Sequence, residues 1–231
     1  MRTHRSIALA GALVAAACLL LPAVAAAQAQ PATVYRVTIT NLTRAQPVTP
    51  PVVATHTIGF HVFAPGKPVP APFIVMAEEG MPGPLAESLE ANPRVHDVAV
   101  GGGPLPPGHS TTVDVEARGR AVFLSAVGML AGTNDAFFGL DGFYLGGQPW
   151  SRHVEVPAYD AGSEENNELC EFVPGPPCNS LFSRAPDGAE GFVTVHNGIH
   201  GKGDLPEDVW NWHNPVVRIQ IVRLAGPQAA P

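Results

Sequence analysis

Two aspartates flanking one stretch of chain are the first residues with chemistry to offer. Asp135 ends the turn Gly132-Thr133-Asn134-Asp135, and Asp160 opens Asp160-Ala161-Gly162-Ser163. Between them, Phe137 to Leu145 reads as an outgoing strand and Gly146-Gly147-Gln148-Pro149 as a turn. His153 to Pro157 then reads as a returning strand. A hairpin of these two strands sets the start of one beside the end of the other, so both carboxylates reach the same end. Two carboxylates in neighbouring loops repel unless something positive lies between them. A hard cation such as Ca²⁺ suits an oxygen-rich loop cluster of this kind. The plainer reading makes both residues turn formers, because Asp is common in turns.

A second constellation is His196-Asn197-Gly198-Ile199-His200, followed by Asp204, Asp208 and His213. Closely spaced histidines act as a zinc pair when they share a helical face. Gly198 and Gly201 argue for a loop, so the spacing loses that meaning. His196, His200 and His213 can still converge in space, and three such ligands with an open position would make a catalytic zinc site. The plainer reading leaves them as surface loop histidines. Ser/His/Asp catalysis has no support: there is no Gly-x-Ser-x-Gly elbow, and Ser125 lies in a buried apolar strand.

These residues must be positioned by strands. Ala121 to Leu130 is apolar enough to be buried on both faces. Val34–Leu42, Thr55–Phe63, Val95–Val100, Ser110–Ala117, Gly191–His196 and Pro215–Leu224 are further strand candidates. Asp114 and Glu116 fall on one face of their strand by its period of two, and such a face is usually solvated. His56 and His61 lie in the second candidate, where histidine is commonly a strand filler. Phe73 to Asn92 holds the single convincing helical region, closed by Asn92-Pro93. With 24 Gly and 25 Pro among 231 residues, turns dominate over long helices. The fold class predicted is an all-β, antiparallel β-sandwich with one short helix.

The N-terminus carries a different signal. Arg2 and Arg5 precede an apolar run from Ile7 to Ala27 that ends in small residues. This is the pattern of a secretory signal peptide over residues 1–27, and it predicts a secreted, periplasmic or extracellular protein with no integral membrane segment after cleavage. A single domain follows over 33–225, and 226–231 reads as a disordered tail. Without Arg2 and Arg5, 11 basic residues face 20 acidic ones, a net charge of about −9. That balance favours neither nucleic acid nor an anionic surface as partner. Removal of Cys18 with the leader leaves Cys170 and Cys178, which in an exported chain are expected to close a disulfide.

Several segments, in order, resemble the spondin N-terminal domain family. They are Gly132-Thr133-Asn134-Asp135-Ala136, Phe138-Gly139-Leu140 and Asp160-Ala161-Gly162-Ser163-Glu164. Met76-Ala77-Glu78-Glu79-Gly80 and Pro215-Val216-Val217-Arg218-Ile219 add to the likeness, which spans about Val34 to Leu224. The resemblance implies a β-sandwich similar to calcium-dependent phospholipid-binding modules. It implies Ca²⁺ as the bound ion, with Glu116, Asp135 and Asp160 as metal ligands and a weaker role for Glu164. It further implies a non-catalytic binding or adhesion role toward an extracellular or cell-surface protein. Ala136 stands where the family carries Trp, and the prolines of that loop are missing. The competing expectation is a secreted metal-dependent hydrolase built on His196, His200 and His213.

Overall fold

A computed structural model describes residues 31–147 and 151–225. The expected signal peptide and tail, and Gln148 and Pro149 of the expected turn, lie outside the described residues. The chain forms two antiparallel sheets. The smaller has the order β4-β1-β10-β7, from Ser110–Ala117 (β4), Thr33–Asn41 (β1), Val217–Ala225 (β10) and Ser151–Val156 (β7). The larger has the order β3-β2-β5-β6-β8-β9. Its strands are Val95–Val100 (β3), Val52–His56 (β2), Phe123–Met129 (β5), Ala136–Tyr144 (β6), Ala158–Asp160 (β8) and Thr194–Val195 (β9). The all-β sandwich expected from the strand pattern is the observed architecture.

Strand periodicity decides where the core lies. Val37 and Ile39 of β1 and Ile219 and Ile221 of β10 point inward against Val53, Leu124, Ala126 and Phe138 of the larger sheet. The opposite parity of the larger sheet, Val52, Ala54, Val127, Met129 and Phe137, faces a second apolar layer. That layer is built from Ala71–Glu79 (α1) and Gly83–Glu90 (α2), through Phe73, Met76, Leu85 and Leu89. The larger sheet is therefore covered on both faces, which is why β5 reads as a continuous apolar run. The smaller sheet is solvated outside, so its strands alternate. The expected helical region is divided at Gly80, which takes a φ of 66° and caps α1 through its N–H to Met76 O, 3.1 Å away. A short third helix, Glu207–Trp210 (α3), follows late in the chain.

Two expectations about strands are corrected. The second strand is not Thr55–Phe63 but Val52–His56, paired with both β3 and β5. It stops because Thr57–Phe60 turns, with Gly59 at a φ of 75°. The hairpin expected between Phe137–Leu145 and His153–Pro157 does not form, because β7 pairs with β10 in the other sheet. Ser151, His153 and Glu155 are exposed on β7, and such a one-sided strand fits the solvated sheet rather than the side of β6, whose first half is buried on both faces. The chain returns after Pro157 as β8, and β8 pairs with β6. The Cys170–Cys178 disulfide is formed, closing the loop that follows the three-residue helical turn Cys170–Phe172.

Phe137 ties the sheet to the helical layer. It is fully buried, with ring centroids 4.8 Å from Phe73, 5.0 Å from Phe63 and 5.6 Å from Tyr159. Phe137→Ala is expected to lower unfolding free energy by about 3–5 kcal/mol, measured by urea denaturation of the purified chain.

Candidate metal centre

The pairing of β8 with β6 places Ala136 opposite Asp160, so Asp135 and Asp160 meet at one end of the larger sheet. The turn before β6 is closed by Thr133, whose hydroxyl donates to Leu130 O at 2.6 Å and accepts from Ala136 N at 3.0 Å. That hydroxyl bracket fixes Asp135 in the turn immediately before the strand. Asp160 starts a tight turn in which Gly162 N donates to Asp160 Oδ1 at 2.6 Å. Gly162 has a φ of 69°, and a Cβ there would run into the Phe192 backbone, so no other residue suits the position.

Asp135 is wholly buried. Its Oδ2 accepts from Ser163 N at 2.8 Å, Ser163 Oγ at 3.1 Å and Glu164 N at 3.0 Å. Its Oδ1 is buried and has no hydrogen-bond partner. Asp160 Oδ2 accepts a short hydrogen bond from Asn166 Nδ2. Burial and the nearby Asp160 charge push the Asp135 carboxyl up to about 8, against the opposing pull of the Ser163 and Glu164 donors. Asp160 is raised as well, by burial first and by Glu190 in addition. Glu164 caps Asp135 through its amide, while its carboxylate lies toward Ala185, Glu78 and Arg184. Its Oε1 accepts from Ala185 N at 2.7 Å, while its Oε2 is buried without a partner. Burial, with Glu78 adding repulsion, pushes it up to about 7.

Glu116 does not join this group. The alternation of β4 turns Val113, Val115 and Ala117 inward and leaves Asp114 and Glu116 exposed. Glu116 pairs with Arg118 at 3.5 Å, and its backbone O accepts from Thr55 Oγ1 beside Leu124, at the start of β5. Asp135 follows the other end of β5. The five steps from Leu124 to Met129 alone span roughly 17 Å at ~3.4 Å per residue. Among the described residues, no group of three His, Cys, Asp or Glu is arranged to hold a metal. A divalent ion at this place would have two carboxylates, Asp135 and Asp160, and would take the rest of its six to eight oxygens from carbonyls, amides and water. The unpartnered Asp135 Oδ1 fits that role.

The three histidines are not gathered either. Gly198 N donates to His196 Nδ1 at 2.9 Å, so this nitrogen is an acceptor and Nε2 carries the hydrogen toward Asn166 Oδ1 at 2.9 Å. Both ring nitrogens are thus engaged, and burial pushes the imidazole down to about 4. His200 lines the same small cavity as His196, whereas His213 lines a separate groove with Arg44 and Trp212. A three-histidine zinc centre is not assembled.

A polar network that the strand pattern did not reveal lies at the opposite end of β5. Ser125 Oγ is 2.8 Å from His56 Nε2 and 3.0 Å from Asp141 Oδ1, and it accepts from Gly142 N at 3.0 Å. Asp141 also receives Val62 N and holds His61 Nδ1 at 2.6 Å. Ser125 is 1% exposed, and Asp141 orients His61 rather than His56. The cluster pins the 57–62 loop to the sheet and lacks the relay order of a Ser–His–Asp nucleophile. No protein-family model matches this chain, and no curated protein matches it.

The raised Asp135 carboxyl sets a pH dependence. It binds its proton more tightly folded than unfolded, so without metal its stabilising contribution is complete below the unfolded value of 3.8 and is lost as pH rises toward about 8. In chelator, the thermal midpoint is expected to fall between about pH 5 and about pH 8, and in Asp135→Asn this part of the fall should disappear. Parallel pH profiles for the two proteins would remove the assignment.

Proposed function

We propose that this chain is an exported, non-catalytic binding module of the spondin N-terminal type, whose Asp135–Asp160 pair holds Ca²⁺ at one end of the sandwich. The observation that carries it is the wholly buried Asp135 Oδ1, which has no partner and lies beside a second buried carboxylate. A buried carboxylate oxygen without a donor is costly. A hard divalent ion would neutralise both charges and give that oxygen a ligand bond. The resemblance in the Asn134-Asp135 and Asp160-Ala161-Gly162 segments points to the same pair, although it also points to Glu116.

Further support comes from the rigidity of the site. Three donors hold Asp135 Oδ2, and the Thr133 bracket and the Gly162 turn hold the two chain segments. An ion at this position would cross-link the β5–β6 turn to the loop after β8. Export is read from the basic start and apolar run of residues 1–27, and the Cys170–Cys178 disulfide is compatible with it. The partner read from the resemblance is an extracellular or cell-surface protein. The hydrolase alternative has no comparable support, since His196 has neither ring nitrogen to spare.

Calcium is expected to stabilise the fold, by about 2.7 kcal/mol at a free concentration one hundred times Kd. Differential scanning fluorimetry in Ca²⁺ and in chelator reads this as a higher melting temperature with the ion. Asp135→Asn should lose the calcium response, yet in chelator above about pH 8 melt no lower than the natural protein, because there it removes a buried like charge. Absence of any thermal shift, with no calcium in elemental analysis, would count against the reading.

A further inference from the structure

We propose that the apolar groove between α1 and the 181–184 loop docks a segment of a partner protein in which a large apolar side chain is flanked by Lys or Arg. This rests on the binding-module half of the reading above, whose surface it names, and does not involve the Asp135–Asp160 pair.

α1 is apolar on two sides. Phe73, Met76 and Ala77 are buried in the layer against the larger sheet. Ala71, Ile74 and Val75 form a second stripe at helical spacing. Together with Met81 and Phe182 they line an open groove of about 470 Å³. A helix that is apolar on both sides is ordinarily covered on both.

The loop beside this stripe holds its aromatic ring out of the core. Phe182 has a φ of 65°, in the left-handed region that disfavours a bulky side chain. Its N–H donates to both carboxylate oxygens of Glu79, at 2.9 and 3.1 Å. Two residues on, the Arg184 guanidinium grips the buried Glu78 at two points, with Nη2 2.7 Å from Oε1. Two clamps thus maintain a strained backbone, yet Phe182 is left 72% exposed. The ring gains little burial in return for that strain, which fits a position shaped for contact with another molecule.

Charge selects the occupant. Where α1 ends, two carboxylates, Glu78 and Glu79, face one guanidinium. Arg184 is spent on Glu78, and among the described residues no Lys, Arg or His forms an ion pair with Glu79. The Glu79 carboxylate keeps lone pairs open beyond the single N–H it accepts. A Lys or Arg of the partner can pair with it and lie against the exposed aromatic ring, while the neighbouring apolar side chain fills the groove. A fatty-acid carboxylate or an anionic lipid surface would meet Glu79 as a like charge. A second copy of so acidic a chain carries the same penalty.

The test is amide-detected NMR on the purified chain with three short capped peptides: alternating Leu and Lys, alternating Leu and Glu, and alternating Ser and Lys. The Leu/Lys peptide is expected to shift the Phe182, Ile74 and Val75 signals saturably, equally in Ca²⁺ and in chelator, and the other two are not. Phe182→Gly should weaken that binding about tenfold without lowering the melting temperature, because Gly adopts the left-handed backbone without strain. Glu79→Gln keeps an acceptor for the Phe182 N–H and should weaken binding about threefold. No shift with the Leu/Lys peptide, equal binding of either control peptide, or unchanged affinity in Phe182→Gly overturns the proposal. A concentration-dependent dimer in sedimentation that Phe182→Gly abolishes also overturns it, by giving the groove to a second copy. A calcium thermal shift that survives any of these results leaves the calcium reading standing, and peptide binding without a calcium shift removes the calcium reading alone.

Discussion

The pairing of Ala136 with Asp160 brings two buried carboxylates together at one end of the larger sheet. Strand pairing is indifferent to side-chain charge, but burial is not. A buried carboxylate is disfavoured in its charged form, and a second one beside it adds repulsion. The surrounding loops are built to manage that cost. Ser163, Glu164, Gly162 and Asn166 all aim donors at the pair, and they satisfy three of its four oxygens. The fourth, Asp135 Oδ1, is left over. The charged pair is therefore disfavoured here, and a bound proton relieves it.

The rest of the sandwich can be seen as the frame that holds this end in place. β5 and β6 lie between two apolar layers and cannot slip without turning a whole set of side chains to the wrong face. At the far end of β5 the His56–Ser125–Asp141 network ties β2, β5 and β6 together where their register shifts. At the near end the Thr133 bracket starts β6 in a single register. β8, only three residues long, adds little packing of its own. Its position depends on being trapped between β6 and β9 and on the Asp160 turn that follows.

What the sequence disclosed follows from which physical signals are local. β3 and β4 were readable end to end, because their boundaries are set by turn residues. The fate of β7 was not, because the choice between two sheets depends on which faces are already covered, and that is a property of the whole fold. Asp135 and Asp160 were correctly expected to be neighbours, but by a hairpin that does not exist; β8 rather than β7 brings them together. Glu116 illustrates the opposite failure. The period of two put it on a solvated face, and the family likeness drew it inward; the periodicity prevailed, as β4 has a core on one side only. Glu164 was indicated only by the family likeness, and Glu190 and the Ser125 network have no local pattern. Residues from separate loops meet there, and no spacing in the chain records it.

On the calcium reading proposed above, a proton and a divalent ion would compete for the same two carboxylates. With Asp135 raised to about 8, the metal-free pair keeps a proton at neutral pH. An incoming ion must displace it, so its apparent affinity grows as pH rises toward that value. The same competition explains why Asp135 Oδ2 is so heavily hydrogen-bonded: donors that favour the charged form bring the carboxyl down toward a range where an ion can win. Remove the Ser163 and Glu164 donors and burial alone would lock the proton in place. The loop after β8 thus does more than close a turn. It sets how strongly the fold holds a proton and, on the calcium reading, how readily it would accept a cation.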